Sequence, residues 1–101
     1  MHVLHLIKTS DGAGWAISLM EAMKKKYNDI SFSVALPLGG KYTNRYYAIC
    51  KNVYDMSYSL NAGILRKGKK LQKIIEEDKP DIMHSWFTQT TFYERLFLRK
   101  Y

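Results

Sequence analysis

Short apolar runs alternate with helical stripes along this chain, and that alternation restricts the fold more than any other feature. Residues 2–7 (HVLHLI), 31–36 (SFSVAL), 52–58 (NVYDMSY) and 81–86 (DIMHSW) read as strands. The first is almost continuously apolar, as a strand is when helices cover both faces of a parallel sheet. From Gly14 or Trp15 to about Tyr27 the period changes: Ala16, Leu19, Met20, Met23 and Tyr27 recur at helical spacing. Ser10 or Asp11 can cap that helix, and Lys24, Lys25 and Lys26 suit the negative pole at its end. A second helix is expected over 61–78, with Ile64, Leu65, Leu71, Ile74 and Ile75 inward and basic residues opposite. Gly68 inside it costs about 1 kcal/mol relative to alanine, and Lys79-Pro80 stops it. Thr88 or Thr90 can start a last helix running to Tyr101 with Phe92, Leu96 and Phe97 inward. Residues 42–51 (YTNRYYAICK) fit either a short helix or an irregular loop.

Strands that alternate with helices imply crossover connections and a parallel sheet. Such crossovers are right-handed in nearly all cases. The economical arrangement is an α/β fold, a partial Rossmann-like parallel sheet of about four strands in the order 3-2-1-4 with flanking helices, making one domain of residues 1–101. Ligands of such sheets sit beyond the carboxyl ends of the strands at the switch point, here between strands 1 and 4. The loops 8–14 and 85–90 are expected to converge there.

Composition sets the remaining bounds. The chain has 101 residues, enough for one domain. The formal charge of +7 favours anionic partners: nucleic acid, phosphorylated sugars or acidic lipid. Cys50 is the single cysteine, which fits a reducing cytosol. No apolar run approaches the ~20 residues needed to span a bilayer, and the first residues do not resemble a signal peptide. The run Arg66, Lys67, Lys69, Lys70 and Lys73 is the densest basic feature. It reads as a solvated helix face or as a surface for anionic head groups, at a membrane or elsewhere. No RNA-binding aromatic signature or zinc-finger spacing accompanies it, so nucleic acid is not the expected partner.

The loop Gly12-Ala13-Gly14 can bring backbone close to a phosphate at a helix start, or can simply make a tight turn. A dinucleotide fingerprint fails, because Ile17 stands at the third glycine position and no acid ends the second strand. Gly40-Lys41-Tyr42 does not make a Walker loop. His2 and His5 lie three apart on a strand, so they face opposite ways and cannot share a metal. His84 adds no zinc spacing, and the adjacent His84-Ser85 does not make a catalytic triad. No metal, cofactor or catalytic residue is assigned.

Two stretches together resemble the opening of GT-B glycosyltransferases of the large retaining, glycogen-synthase-like group. They are HVLHLI…DGAG…ISLMEAMKKKYNDISFSVALP and LQKIIEEDKPDIMHSW, where Pro80 to His84 follows that group's Pro-Asp-Ile-Val-His signature. The resemblance implies an enzyme of two Rossmann-like domains facing across a cleft. The first, acceptor-side domain also reaches the donor phosphates; the second holds most of the nucleotide-sugar and carries paired glutamates. It implies that Gly12, Ala13, Gly14 and Trp15 meet donor phosphate, and that His84, Ser85 and Trp86 line the acceptor side. The sequence departs from the group in having Trp15 where a glutamate often follows the glycines, and Trp86 in place of a second histidine. The group's next strand and its donor domain do not fall within the 101 residues.

The expectation is therefore an amino-terminal part of a cytoplasmic sugar transferase, inactive alone. Its partners would be a nucleotide-sugar and an acceptor glycan or lipid, with the basic charge able to hold it at the inner membrane face. A different expectation is a small basic interaction module that forms homo-oligomers through the free edge of strand 4. Single-stranded nucleic-acid binding through tyrosines and lysines is a third.

Overall fold

A computed structural model of the chain describes residues 1–12, 14–59, 63–86 and 88–97. The continuous apolar run at the start becomes β1 (His2–Leu6), which is flanked on both sides by other strands. The elements follow as α1 (Gly14–Lys26), β2 (Ser31–Leu36), α2 (Thr43–Ile49), β3 (Asn52–Asp55), α3 (Ile64–Asp78), β4 (Ile82–Ser85) and α4 (Thr88–Phe97). The sheet is wholly parallel in the order β3-β2-β1-β4. Register places His5 beside Val34 on one side and His84 on the other. The architecture expected from the alternation is the one observed.

Side-chain alternation along β1 divides the core in two. Val3 and Ile7 join Ile17 and Met20 of α1, Phe32, Val34 and Leu36 of β2, and Tyr46 of α2. Leu4 and Leu6 join Leu71, Ile74 and Ile75 of α3 and Tyr93 of α4. So α1 and α2 cover one face of the sheet, and α3 and α4 the other. Full burial of each large aliphatic side chain contributes about 1.5–3 kcal/mol, which makes these two clusters the main source of stability.

Several elements differ in detail from the sequence expectation. Of the two forms open to residues 42–51, the short helix is the one observed, as α2, and its Tyr46 is fully buried. The third strand stops at Asp55; the Met56 N–H still donates to the Leu36 carbonyl at 3.1 Å, and Met56 and Tyr58 plug the α3 face, with the Tyr58 hydroxyl donating to the Ala35 carbonyl at 2.8 Å. The inward stripe of α1 is Ala16, Ile17 and Met20, while Leu19 and Tyr27 are each 49% exposed. In α3 the inward positions are Gly68, Leu71, Ile74 and Ile75. Leu65, expected inward, is 72% exposed, because it lies about 100° around the helix from Ile64. Ala13, the span 60–62 and the side chains of Phe92, Leu96 and Phe97 lie outside the described residues.

Candidate functional site

The carboxyl rim of the sheet brings together the β1–α1 loop, the β2–α2 loop and the end of β4. Thr9 folds the first loop, its hydroxyl accepting the N–H groups of Asp11 and Gly12 at 3.1 Å each. Ser10 and Asp11 both reach across to the β2–α2 loop. Ser10 Oγ accepts the Gly40 N–H at 2.9 Å, Asp11 Oδ1 accepts the Lys41 N–H at 3.1 Å, and the Ser10 carbonyl accepts the Tyr42 N–H at 2.9 Å. The two loops are thereby laced together. A cleft of about 350 Å³ lies between them, lined by residues 8–11 and 37–40.

The glycines of this rim have distinct jobs. Gly39 sits at φ +98°, where side chains are strained. Gly40 presses on the Ser10 backbone so closely that a Cβ there would lie 2.3 Å from the Ser10 carbonyl carbon. Gly14 opens α1 under the Tyr42 phenol, whose oxygen would be 2.7 Å from an added Cβ. Gly12 has no such internal reason: an added Cβ would meet nothing nearer than Thr9 at 3.8 Å. Of the glycines expected at the phosphate, then, Gly14 has a packing reason of its own, whereas a side chain at Gly12 would make only ordinary contact with Thr9. Arg45 of α2 fixes the neighbouring helices, its guanidinium donating to both carboxylate oxygens of Glu21 and holding that carboxyl below its ordinary pKa.

The end of β4 supplies an aromatic cluster. The Trp86 N–H continues the ladder to the Leu6 carbonyl at 3.1 Å. Its indole N–H donates to Nδ1 of His5 at 2.9 Å. Around it stand His84 at 4.5 Å between ring centroids and Trp15, from the first turn of α1, at 5.3 Å. His5 is buried and also meets Phe32 and His84 edge-on. Burial first, and then the neighbouring His84 imidazole, push its pKa from 6.5 down to about 3. Because Nδ1 accepts from Trp86, the ring proton sits on Nε2, which has no hydrogen-bond partner among the described residues. Trp15 is 57% exposed, so the cluster presents an aromatic face to solvent.

The residues expected at the acceptor side do not all share this face. Alternation along β4 sends Ser85 to the α3–α4 side, where its hydroxyl donates to Glu94 of α4 at 2.6 Å. His84 and Trp86 remain with Trp15. Of the basic run, Lys67 turns toward the Ser59 carbonyl at 3.5 Å, whereas Arg66, Lys69, Lys70 and Lys73 are exposed on the outer side of α3. No cluster of three or more metal-ligating side chains occurs among the described residues. None of the described helices is long and apolar enough to cross a membrane.

A polar site that the sequence did not announce lies at the opposite end of the sheet. Asp78, the last residue of α3, has no exposed side-chain surface. Its Oδ1 accepts from Ser33 at 2.6 Å, Tyr54 at 3.0 Å and Asn52 at 3.1 Å. Its Oδ2 lies 2.9 Å from Nε2 of His2. Burial alone would raise the Asp78 pKa. The hydrogen bonds from Ser33, Asn52 and Tyr54, followed by the His2 interaction, outweigh it and hold the carboxyl below its ordinary range. One signal was available: Ser33 is a polar residue in the middle of a buried strand.

The fold is an open, Rossmann-like parallel α/β sheet with an aromatic, glycine-bordered rim at its switch point, the place where sheets of this kind bind ligands. No protein-family model matches the chain, and no curated protein matches it.

Proposed function

We propose that the chain is the acceptor-side Rossmann-like half of a GT-B glycosyltransferase, which moves a sugar from a nucleotide-sugar donor to an acceptor glycan or lipid. One observation carries this reading. The two stretches that resemble that family are far apart in sequence, yet Trp15 and Trp86 stand 5.3 Å apart at the β1–β4 switch point. An indole face suits the C–H face of a pyranose ring, whose weakly positive hydrogens complement the negative aromatic surface. Trp15, His84 and Trp86 would hold the acceptor sugar, and the backbone at Gly12, which carries no side chain, would admit donor phosphate. Ser85 would act through Glu94 rather than touch the sugar. The lone Cys50 fits a cytoplasmic setting.

Stabilising the charge of glycosyl transfer needs donors on both sides of the reacting bond and exclusion of water. This rim supplies one side, so the 101-residue chain alone should bind but not turn over. Its two tryptophans are Trp15 and Trp86, so intrinsic fluorescence reports on the site. Titration with UDP-, GDP- and ADP-sugars and with free glycans should give a saturable change, and Gly12→Val should remove the nucleotide response. Absence of a saturable response to every one of these ligands would sink the reading. Sustained release of nucleoside diphosphate would instead refute its half-site character.

A second reading draws on the outer edge of β4. It has no strand partner among the described residues, and Ile82 on it is 46% exposed. An unpaired strand of this kind recruits another, so the chain would assemble with copies of itself.

A further inference from the structure

The Asp78 network extends one residue further than the fastening of α3 requires. Ser33, Asn52, Tyr54 and His2 all bond to the carboxylate. Ser31 bonds to His2 instead, its Oγ 2.6 Å from Nδ1 of the ring. Counting protons fixes the direction of that bond. Against burial, its hydrogen bonds hold the Asp78 carboxyl below the ordinary range, so it is ionised and only accepts. The single Ser33 hydroxyl proton goes to Asp78 Oδ1 at 2.6 Å. Ser33 Oγ can therefore meet Nε2 of His2, at 2.9 Å, only as an acceptor. Nε2 then carries the ring proton, shared between Ser33 Oγ and Asp78 Oδ2 at 2.9 Å each. In the neutral ring Nδ1 is left as a bare acceptor, and the Ser31 hydroxyl donates to it.

A hydroxyl that donates to a neutral imidazole, whose far nitrogen is oriented by a buried carboxylate, is the arrangement that activates a serine. The members are graded outward. Asp78 has no exposed side-chain surface, His2 shows 15%, and Ser31 is half-buried at the start of β2, so solvent reaches the nucleophile. We infer that Ser31 is a nucleophilic site for activated esters, with His2 as its general base and Asp78 as the positioning residue. The site lies at the amino end of the strands and uses none of the residues placed in sugar transfer. The Ser31 N–H donates to the Met1 carbonyl at 2.9 Å, so the nucleophile's own amide does not serve an oxyanion. Weak stabilisation of that charge restricts the site to acyl donors with a good leaving group, aryl esters or thioesters, and disfavours amides. Ser31 Oγ bonds to the acyl carbon while its proton passes to Nδ1 of His2. The bond from that carbon to the leaving oxygen or sulfur breaks, and the departing group takes the proton. Water, deprotonated at Nδ1, then attacks the acyl carbon; the free acid leaves, and Ser31 Oγ recovers the proton from Nδ1.

The test is labelling with a fluorophosphonate probe, in which Ser31 Oγ displaces fluoride from phosphorus and the hydroxyl proton leaves through His2. Peptide mass spectrometry should place the adduct on Ser31, and Ser31→Ala should remove it. Ser57→Ala, at an exposed serine of the β3–α3 connection, should change nothing. His2→Ala should slow labelling about 100-fold, the size of a general-base contribution, and added imidazole should restore much of the rate. Asp78→Asn should slow it too, without rescue by imidazole, because the His2 ring still fills its place. With p-nitrophenyl acetate the protein should release a burst of p-nitrophenol that Ser31→Ala abolishes. Circular dichroism checks that each variant folds; should Asp78→Asn fail to fold, the Ser31 and His2 variants decide the matter alone. Absence of an adduct on Ser31 overturns the inference, as does labelling at an unchanged rate without the His2 ring. Either result leaves the network as a fastening of α3 only.

Discussion

His5 is held on one side by the Trp86 indole and has no partner on the other among the described residues. Its folded pKa of about 3 lies well below the ordinary 6.5. Below pH 6.5 the unfolded chain therefore takes up a proton that the native state refuses. Stability should fall with decreasing pH through the window from 6.5 to about 3, by about 1.4 kcal/mol per unit. Against a typical total of 5–15 kcal/mol that loss is large. Replacing the ring by His5→Phe sacrifices the indole bond but should flatten this slope, measured by urea unfolding at a series of pH values. Identical slopes in both proteins would remove His5 from the account. The glycines give a second contrast at this scale. Gly40→Ala must displace the Ser10 backbone and should cost about 1–3 kcal/mol, as overpacking does. Gly12→Ala meets only ordinary contacts and should leave the thermal midpoint almost unchanged.

Among the elements, α3 is bound most tightly at its end. Asp78 receives bonds from β1, β2 and β3 together, so it fastens the helix to three strands. Asp78→Ala would strand those donors and should cost about 3–5 kcal/mol in chemical denaturation. Its pKa is depressed, so its contribution is present above the ordinary carboxylate value and is lost as pH falls through the folded one. That window lies below most of the His5 window, and the two can be separated. The following residue, Lys79, adopts a left-handed conformation at φ 51°, which glycine takes without the Cβ penalty. Lys79→Gly should raise stability by about 0.5–1 kcal/mol; a lower thermal midpoint would show that the lysine stem contributes more than the backbone strain removes. These features also explain what the sequence could convey. Periodicity located the strands and helices because burial imposes it directly. It does not reveal that Leu19 and Leu65 point outward, because apolar identity does not fix direction. It could not pair Asp78 with Ser33, Asn52 and Tyr54, or bring Trp15 to Trp86, because those meetings depend on strand register and not on neighbours in the chain.

For the whole molecule, the unpaired edge of β4 decides whether the sheet stays four strands wide. The Trp86 N–H points to β1, so by alternation the even-numbered residues of β4 use their backbone groups on β1, and Met83 and Ser85 direct theirs outward. Two copies related by a twofold normal to the sheet would pair these edges antiparallel and keep corresponding faces together. The matching faces allow only registers that set residues of like parity opposite each other, such as Met83 against Met83 with Ile82 against His84. The result is a continuous eight-stranded sheet. The charge of +7 on each chain opposes this union and is screened by salt. Assembly should therefore increase with ionic strength. Light scattering at micromolar concentrations should show a dimer in high salt, and Ile82→Lys, which places a charge on the edge without entering the core, should return it to monomer. A wild-type monomer at every salt concentration would mean that this edge meets some other strand or none.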